Sequence, residues 1–534
     1  MLYEVVRIAA ITLCCVAAGL SAMNVLQAQR YQIPVLRRDL RRYADHFLRP
    51  NVIVAAAAAL LNWYLPVLLA MAIQQEQRRV NLCAWLVLAM FVGATALVWL
   101  VKRRMQQKKP LAFTRRLCRL MIVTALLALM IALALDMLNL SPYLVLAGAD
   151  YLVLLAAVIM RPVEERINKK YYNQARKKLA ARKDLIRIGV TGSFGKTQVK
   201  LMLRTLLAEK YRVLSTPPSF STAMGISRVV NDQLNARHQV LIAEMGAQHS
   251  GEIKEMAKLV RPQYGVVTCV GNAHLDSFNS MEAIAQAKNE LIEALPADGK
   301  AFFGSDRSYG DRLFALCEAE KYRAGIGGAD TGFYMRADHI ETGVHGTRFE
   351  LSCADGGHVW AATKLLGNFS VKNIALSAAV ARQLGLSMEE IARGIEKLKP
   401  TRHRLQLRTG AVNVIDNSLN TLPEGALEAL EVLKEFPGRR VLVTAGLTEV
   451  EVNAEDANYA YGLQIAGCAD HVVLIDPEGT RSVMRALMSA GYPKSSVRMV
   501  TDLADAAALV KEIAGEGDSV LYEGVYPDED EAEE

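Results

Sequence analysis

The eight cysteines of this 534-residue chain include no CxxC pair and no run with metal-ligand spacing. Cys14, Cys15, Cys83, Cys118, Cys269, Cys317, Cys353 and Cys468 are scattered, and four of them fall in apolar runs. That pattern argues against a disulfide framework or a cysteine metal module, and for reduced, mostly buried thiols in a cytosolic or membrane setting. Internal repeats and low-complexity stretches are missing too, apart from the acidic end Asp528–Glu534, which reads as a solvated tail. The net charge is +7, but the basic residues crowd the first third of the chain. The excess therefore reads as membrane flanks, and no nucleic-acid partner is expected. The chain is too long for one ordinary core, so several domains are expected.

Mean hydropathy is +0.15, unusual for a soluble enzyme. The excess sits in the first 160 residues, as apolar runs near 5–26, 51–74, 81–101, 117–138 and 142–160. Several approach the roughly 20 residues that cross a bilayer. The first has no basic segment ahead of it and further runs follow, so a cleavable signal is not indicated. The first connection carries Arg30, Arg37, Arg38, Arg41, Arg42 and Arg49, and the third carries Lys102, Arg103, Arg104, Lys108, Lys109, Arg115 and Arg116. The fourth, around 139–142, has no charge, while Arg78 and Arg79 in the second count mildly against a regular alternation. Basic loops on the inside place everything after residue 160 in the cytoplasm. The expectation is a multi-pass plasma-membrane region over 1–160 and a basic juxtamembrane helix or linker over 161–183. Asp136 and Asp150 lie in or near the last two runs. An interfacial place for the first and interhelical packing for the second are favoured over handling of a translocating substrate.

The most informative stretch is Gly189-Val-Thr-Gly-Ser-Phe-Gly-Lys-Thr197. It follows the apolar run 185–190 and precedes a helix-like segment. A strand, a glycine-rich turn ending Gly-Lys-Thr and a helix form a phosphate cradle, in which backbone N–H groups and the helix N-terminus face the anion. Gly192, Ser193, Gly195, Lys196 and Thr197 would bind the nucleotide phosphates, with Lys196 on the β/γ-phosphates and Thr197 on Mg²⁺. The spacing is not the common Walker form, because Val190 stands where the first glycine would be. Beyond the loop, apolar runs at 239–243, 264–269, 440–444, 471–475 and 518–522 alternate with helix-type segments, implying parallel sheets covered by helices. A small mixed sheet is expected over 300–365, and a division near Lys399-Pro-Thr401. Glu244, at the carboxyl end of the strand 239–243, is placed to hold Mg²⁺. His274 follows the next strand, and Lys288 lies on a helix.

In order, Thr-Gly-x-x-Gly-Lys-Thr, Glu244-Met-Gly-Ala247, Gly271-Asn-Ala-His-Leu-Asp276 and Ala287-Lys-Asn-Glu290 resemble the Mur ligase family of ATP-dependent amide-bond ligases. The branch that adds D-alanyl-D-alanine to the muramoyl tripeptide is the most similar. Leu366-Gly-Asn-Phe-Ser-Val-Lys-Asn373, Arg404 and Asp416-Asn-Ser-Leu-Asn420-Thr-Leu-Pro423 extend the resemblance over roughly residues 184–525. It implies a central ATP-binding domain over 184–400 and a C-terminal α/β domain over 401–534. The implied fold class is α/β: a P-loop parallel-sheet ATPase domain and a Rossmann-like C-terminal domain, preceded by an all-α transmembrane region of about five helices. It further implies ATP and two Mg²⁺ ions, with Thr197 and Glu244 on one ion and His274 on the second. Lys288 matches the family's carbamylated lysine, which supports that metal. Lys196, His274, Lys288 and Arg404 form the implied catalytic set. Arg404 would reach the γ-phosphate, Asn373 the base, and Asp416 or Asn417 the ribose. Departures are plain: Asn417 replaces an aspartate, Phe369-Ser370 replaces His-Asn, and Pro217-Pro-Ser-Phe-Ser-Thr222 replaces an Asn-rich segment. Apolar runs also occupy the place of the uridine-binding domain.

A membrane-tethered ligase acting on a peptidoglycan precursor and a D-amino acid or dipeptide is therefore expected, with a synthase of another polymer such as a poly-amino-acid capsule as the alternative. An ATP-driven transport or regulatory subunit would want an ABC signature or an apolar Walker-B run ending in Asp, and the sequence has neither. The sequence leaves the oligomeric state open.

Overall fold

The computed structural model describes residues 2–28, 31, 33–42, 44–68, 76–105, 111–218, 220–271, 275–305, 309–327, 332–419, 423–448, 450 and 453–525. His274, Asn420 and the acidic end 528–534 lie outside the described residues. The chain divides into two compact units, Met1–Lys170 and Tyr171–Glu534.

The first unit is helical: Leu2–Ala28, Ile33–Arg42, Ala44–Leu68, Glu76–Met105, Arg115–Met137, a 3₁₀ segment Pro142–Gly148, and the start of Ala149–Ala180. Among the described residues, four stretches are long and apolar enough to cross a bilayer: Tyr3–Ala28, Leu82–Leu100, Arg115–Met137 and Pro142–Ala180. Of the run 51–74, residues 69–74 lie outside the described residues, and Pro50–Leu65 is a shorter apolar helical stretch among the described ones. Small residues face inward, including Ala18, Ala22, Ala128, Ala132, Ala149 and Ala156. At Gly19 an added Cβ would stand 2.7 Å from Val153 Cγ2, so the first and last helices approach backbone to backbone. Leu97, Leu126, Met130 and Val158 point outward. Small side chains at the inward positions let helix backbones come close together. Arg7 donates to Asp136 at 2.6 Å, and Asn51 donates to Asp150 at 3.0 Å. Both carboxylates thus have partners inside the unit. The charged stretch after residue 160 is not a separate element: the helix Ala149–Ala180 runs unbroken through Pro162. Its neighbours Arg161, Glu164, Glu165 and Arg166 are good helix formers.

The second unit holds two sheets. The first has strands β1 (Ile186–Thr191), β2 (Val213–Ser215), β3 (Val240–Glu244), β4 (Tyr264–Val267), β5 (Lys300–Gly304), β6 (Glu320–Ile326), β7 (Met335–Gly343), β8 (Gly346–Cys353) and β9 (His358–Thr363), in the order β2-β3-β1-β4-β5-β6-β7-β8-β9. Pairing is parallel from β2 to β7 and antiparallel for β7–β8 and β8–β9. The mixed strands of 300–363 are therefore the far half of one nine-stranded sheet, not a small sheet of their own. The reason is that β5 pairs in parallel with β4 and carries the ladder onward. Ile188 and Val190 of β1 pack on Val199, Met202, Leu203 and Leu206 of the helix Lys196–Leu207. Alternate positions on a strand face opposite sides, and Arg187 uses the other face. Its guanidinium donates to the carbonyls of Leu179 at 2.8 Å, Arg182 at 2.7 Å and Val260 at 3.3 Å. It thus collects the C-terminal ends of two helices, Ala149–Ala180 and Glu252–Val260, where a cation is favoured.

The second sheet has β10 (Gln406–Arg408), β11 (Asn413–Asn417), β12 (Arg440–Thr444), β13 (His471–Ile475), β14 (Val497–Val500) and β15 (Ser519–Glu523), ordered β10-β11-β15-β12-β13-β14. All pairs are parallel except the edge pair β10–β11. Residues 398–401, between the sheets, have no regular structure.

Arg187→Met removes three carbonyl partners at once and leaves those helix ends unsatisfied. The expected loss is about 2–3 kcal/mol of stability, read as a lower unfolding midpoint in denaturant. An unchanged midpoint would show that the helix ends do not depend on this cation.

Candidate active site

The loop between β1 and the helix Lys196–Leu207 is shaped by two glycines. Gly192 has φ +147, and a Cβ there would lie 2.0 Å from Thr268 Oγ1 and 3.1 Å from the Cys269 carbonyl. No side chain fits. Gly195, at φ +76, is the residue that caps the helix. The loop is strapped to the chain leaving β4. The Ser193 amide donates to the Cys269 carbonyl at 2.9 Å, the Ser193 hydroxyl pairs with Gly271 at 2.9 Å, and the Thr268 hydroxyl donates to the Phe194 carbonyl. Lys196 folds over the loop, donating to Gly192 O at 2.7 Å and Ser193 O at 2.9 Å. Burial lowers its pKa, against the opposing pull of Glu244.

A second helix presses on the loop. From Asn368–Gln383, the Asn373 side chain and the Phe369 ring both approach to 3.2 Å of where a Gly195 Cβ would be. Asn373 also donates to Gln198 Oε1 at 3.0 Å. The departure from the family's His-Asn thus sets an aromatic ring, Phe369, against the phosphate loop.

Glu244 closes β3, next to β1 in the sheet. Thr197 Oγ1 is 3.0 Å from both of its carboxylate oxygens. Lys200, not anticipated from the sequence, donates to Glu244 Oε2 at 2.7 Å and to Pro217 O at 3.2 Å. Lys200 is 0% exposed and Glu244 4% exposed, so this ion pair is buried. The signal was present: Lys200 follows Thr197 by three positions, which shares a helix face. A hydroxyl and a carboxylate beside the loop are hard oxygen donors of the kind Mg²⁺ takes. Among the described residues there is no cluster of three His, Cys, Asp or Glu side chains. Thr197 and Glu244 are brought together, and His274 lies outside the described residues.

Lys288 is buried on the helix Met281–Glu293, its ammonium 5.7 Å from the centre of the Phe278 ring. Burial, and after it the charge of Lys196, pulls its pKa down to about 8. Glu290, two residues on, is occupied structurally: it accepts from the amides of Gly251 at 2.5 Å and Lys254 at 2.9 Å. It thereby satisfies the N-terminus of the helix Glu252–Val260.

In the second sheet, Arg404 is exposed on a turn, its amide bonded to the Thr401 carbonyl at 3.1 Å. Among the described residues no hydrogen bond or ion pair joins it to the phosphate loop. Asp416 is buried, with His403 Nδ1 at 2.8 Å, the Ser418 hydroxyl at 2.6 Å and the Ser418 amide at 3.1 Å. Asn417 accepts from the Leu405 amide at 3.1 Å and donates to Glu523 Oε2 at 2.7 Å. Both side chains face inward to protein partners. Glu523 and His403 were invisible as partners in the sequence.

A phosphate loop on one α/β sheet, followed by a second α/β domain carrying an exposed arginine, defines a two-domain P-loop enzyme. The Mur ligase middle domain model matches residues 190–381, and the Mur ligase, glutamate ligase domain model matches residues 403–525. The UDP-N-acetylmuramoyl-tripeptide–D-alanyl-D-alanine ligase of Treponema pallidum (strain Nichols) is 29% identical over 350 residues, covering 64% of this chain and 72% of that protein. The ligase of the same name from Mycobacterium bovis is 33% identical over 276 residues, covering 51% of this chain and 53% of that protein. Among solved structures, MurF from Acinetobacter baumannii gives a TM-score of 0.59 at 23% identity, covering 67% of this chain and 77% of that one. The MurF ligase of Thermotoga maritima in complex with ADP gives 0.58 at 24% identity, covering 67% and 80%. The chain belongs to the Mur ligase family of ATP-dependent ligases.

Two substitutions test the local geometry. Gly192→Ala drives a methyl into Thr268 and is expected to weaken ATP binding at least roughly tenfold, measured by titration with a fluorescent nucleotide. Lys200→Met leaves the Glu244 carboxylate buried without its cation, with an expected loss of about 3–5 kcal/mol in denaturant unfolding. A silent Lys200→Met would mean that Glu244 is solvated in solution.

Proposed function

We propose that this chain is a membrane-tethered ligase that adds D-alanyl-D-alanine, or a similar amine, to a peptidoglycan precursor through an acyl phosphate. The observation that carries the reading is the Thr197–Glu244 pair, 3.0 Å apart beneath the glycine loop. Gly192, Ser193, Gly195 and Lys196 would hold the triphosphate of ATP, Asn373 the base, and Asp416 or Asn417 the ribose. Thr197 and Glu244 would hold one Mg²⁺, and His274 with carbamylated Lys288 a second. Bound there, Mg²⁺ would neutralise charge on the transferring phosphoryl group.

The chemistry follows from the electrophile. A carboxylate resists attack by an amine because its oxygen is a poor leaving group. An oxygen of the precursor's carboxylate takes the γ-phosphoryl of ATP and ADP departs. The amine nitrogen then attacks the acyl carbon, phosphate leaves, and the nitrogen loses a proton. Lys196 and Arg404 supply positive charge where negative charge gathers, and Arg404 reaches over from the C-terminal domain. Exclusion of water protects the acyl phosphate. The four apolar stretches of the first unit and the basic connections between them support a multi-pass plasma-membrane placement with the catalytic domains cytoplasmic. Such a tether suits an acceptor that is itself lipid-linked.

Purified protein with ATP, Mg²⁺ and either nucleotide-linked or lipid-linked precursor should give an amide product by mass. ADP with no new covalent adduct would overturn the ligase reading. Lys288→Ala should lose activity and regain part of it with short-chain carboxylic acids, which replace the missing carbamate. The carbamate also predicts a pH dependence. Only the neutral amine adds CO₂, and with a pKa of about 8 the neutral fraction of Lys288 rises as pH passes that value. At limiting bicarbonate, the carbamate signal in ¹³C NMR should grow from pH 7 to 9. A signal that falls over this range, or is absent, removes Lys288 from the role.

A further inference from the structure

Arg404 stands between two residues with left-handed backbones, His403 at φ +61 and Leu405 at φ +46. Side chains with a Cβ adopt that region rarely, and it persists where neighbours hold it. Here the holders can be named. His403 Nδ1 lies 2.8 Å from Asp416 Oδ2, and the Leu419 amide donates to the His403 carbonyl at 3.1 Å. The Leu405 amide donates to Asn417 Oδ1 at 3.1 Å. Asp416 and Asn417 are consecutive on β11 and therefore point to opposite faces. Between them they grip both flanks of Arg404.

Asn417 has a second bond that fixes its identity. Its Nδ2 donates to Glu523 Oε2 at 2.7 Å, and Glu523 is the residue in register with it on β15. Both side chains are buried. Position 417 must accept from Leu405 and donate to Glu523, and a side-chain amide does both. An aspartate there would set two buried carboxylates against each other. The substitution that departs from the family's motif is thus the complement of Glu523.

We propose that Asn417, braced by Glu523, is a positioning residue that sets the turn carrying Arg404 and so aims this guanidinium at the terminal phosphoryl of the bound nucleotide. The inference rests on the reading of Arg404 as the group that crosses to the γ-phosphate.

The test uses the full-length chain in detergent, with ATP turnover in the ligase assay and amide exchange at Leu405 as separate readouts. Arg404→Ala is measured first. Asn417→Asp should lower kcat roughly tenfold or more. It should also speed exchange at the Leu405 amide. Glu523→Gln keeps an acceptor for Asn417 and should be close to silent. The double variant Asn417→Asp/Glu523→Gln restores one donor and one acceptor, and should recover both kcat and exchange protection. In the Arg404→Ala background, Asn417→Asp should add nothing to the loss. Should Asn417→Asp alone fail to fold, Asn417→Ala takes its place, removing the acceptor without adding charge. An impaired Arg404→Ala beside a silent Asn417→Asp, or a loss that Glu523→Gln does not rescue, overturns the positioning role. A silent Arg404→Ala overturns the reading beneath it.

Discussion

A buried carboxylate governs this active site. Glu244 is almost wholly removed from water at the end of β3, and an ionised group in such a place must be paired and hydrogen-bonded. Its partners come from one helix: the Thr197 hydroxyl and the Lys200 ammonium. Their spacing of three residues is what one turn of helix can present to one point. The helix must therefore start where the glycine loop ends, and β3 must lie beside β1, as it does. The adjacency of β3 and β1 and the phase of the helix both bring partners to this carboxylate. Lys200 also ties the chain after β2 to the site through the Pro217 carbonyl.

The same region gathers cations. Lys200 and Lys288 are buried there and Lys196 is half-buried beside them, and Lys196 contributes to the depressed pKa of Lys288. Like charges held together in a dry place are unfavourable until an anion joins them. A triphosphate reverses that balance, so the site is electrostatically incomplete by itself. The conflict is limited because Lys200 is already neutralised by Glu244, while Lys196 leans on the carbonyls of its own loop. The loop carbonyls are weak partners compared with a carboxylate, which leaves Lys196 as the charge most ready to change partner.

Much of this was legible in the sequence because it is local. A strand, a glycine turn and a helix are written consecutively, and the parallel strands β1, β3, β4, β12, β13 and β15 coincide with apolar runs. The apolar helices were equally visible. What escaped was pairing between distant segments. The strands after 300 looked like a sheet of their own because nothing in them announces that β5 lies beside β4. Glu290 sat in a motif suggestive of chemistry, and its carboxylate instead caps a helix 39 positions earlier. Asn417 looked like a defect in the motif, because its complement, Glu523, is 106 positions away.

The two α/β domains are also joined through a helix end. Glu428, on the C-terminal helix Pro423–Lys434, accepts from the Phe369 amide at 2.8 Å. Gly367 makes the approach possible, since a Cβ there would lie 2.5 Å from the same carboxylate oxygen. A carboxylate at a helix N-terminus is favoured by its free amides and dipole, yet burial here pushes the Glu428 pKa up. The helix it caps is the one that sets Asn373 and Phe369 against Gly195. The C-terminal domain thus touches, at one hydrogen bond, the helix that forms a wall of the phosphate loop. Arg404 leaves the same domain on a turn held by Asp416 and Asn417. The C-terminal domain therefore supplies both the exposed arginine and the carboxylate behind the wall of the phosphate loop.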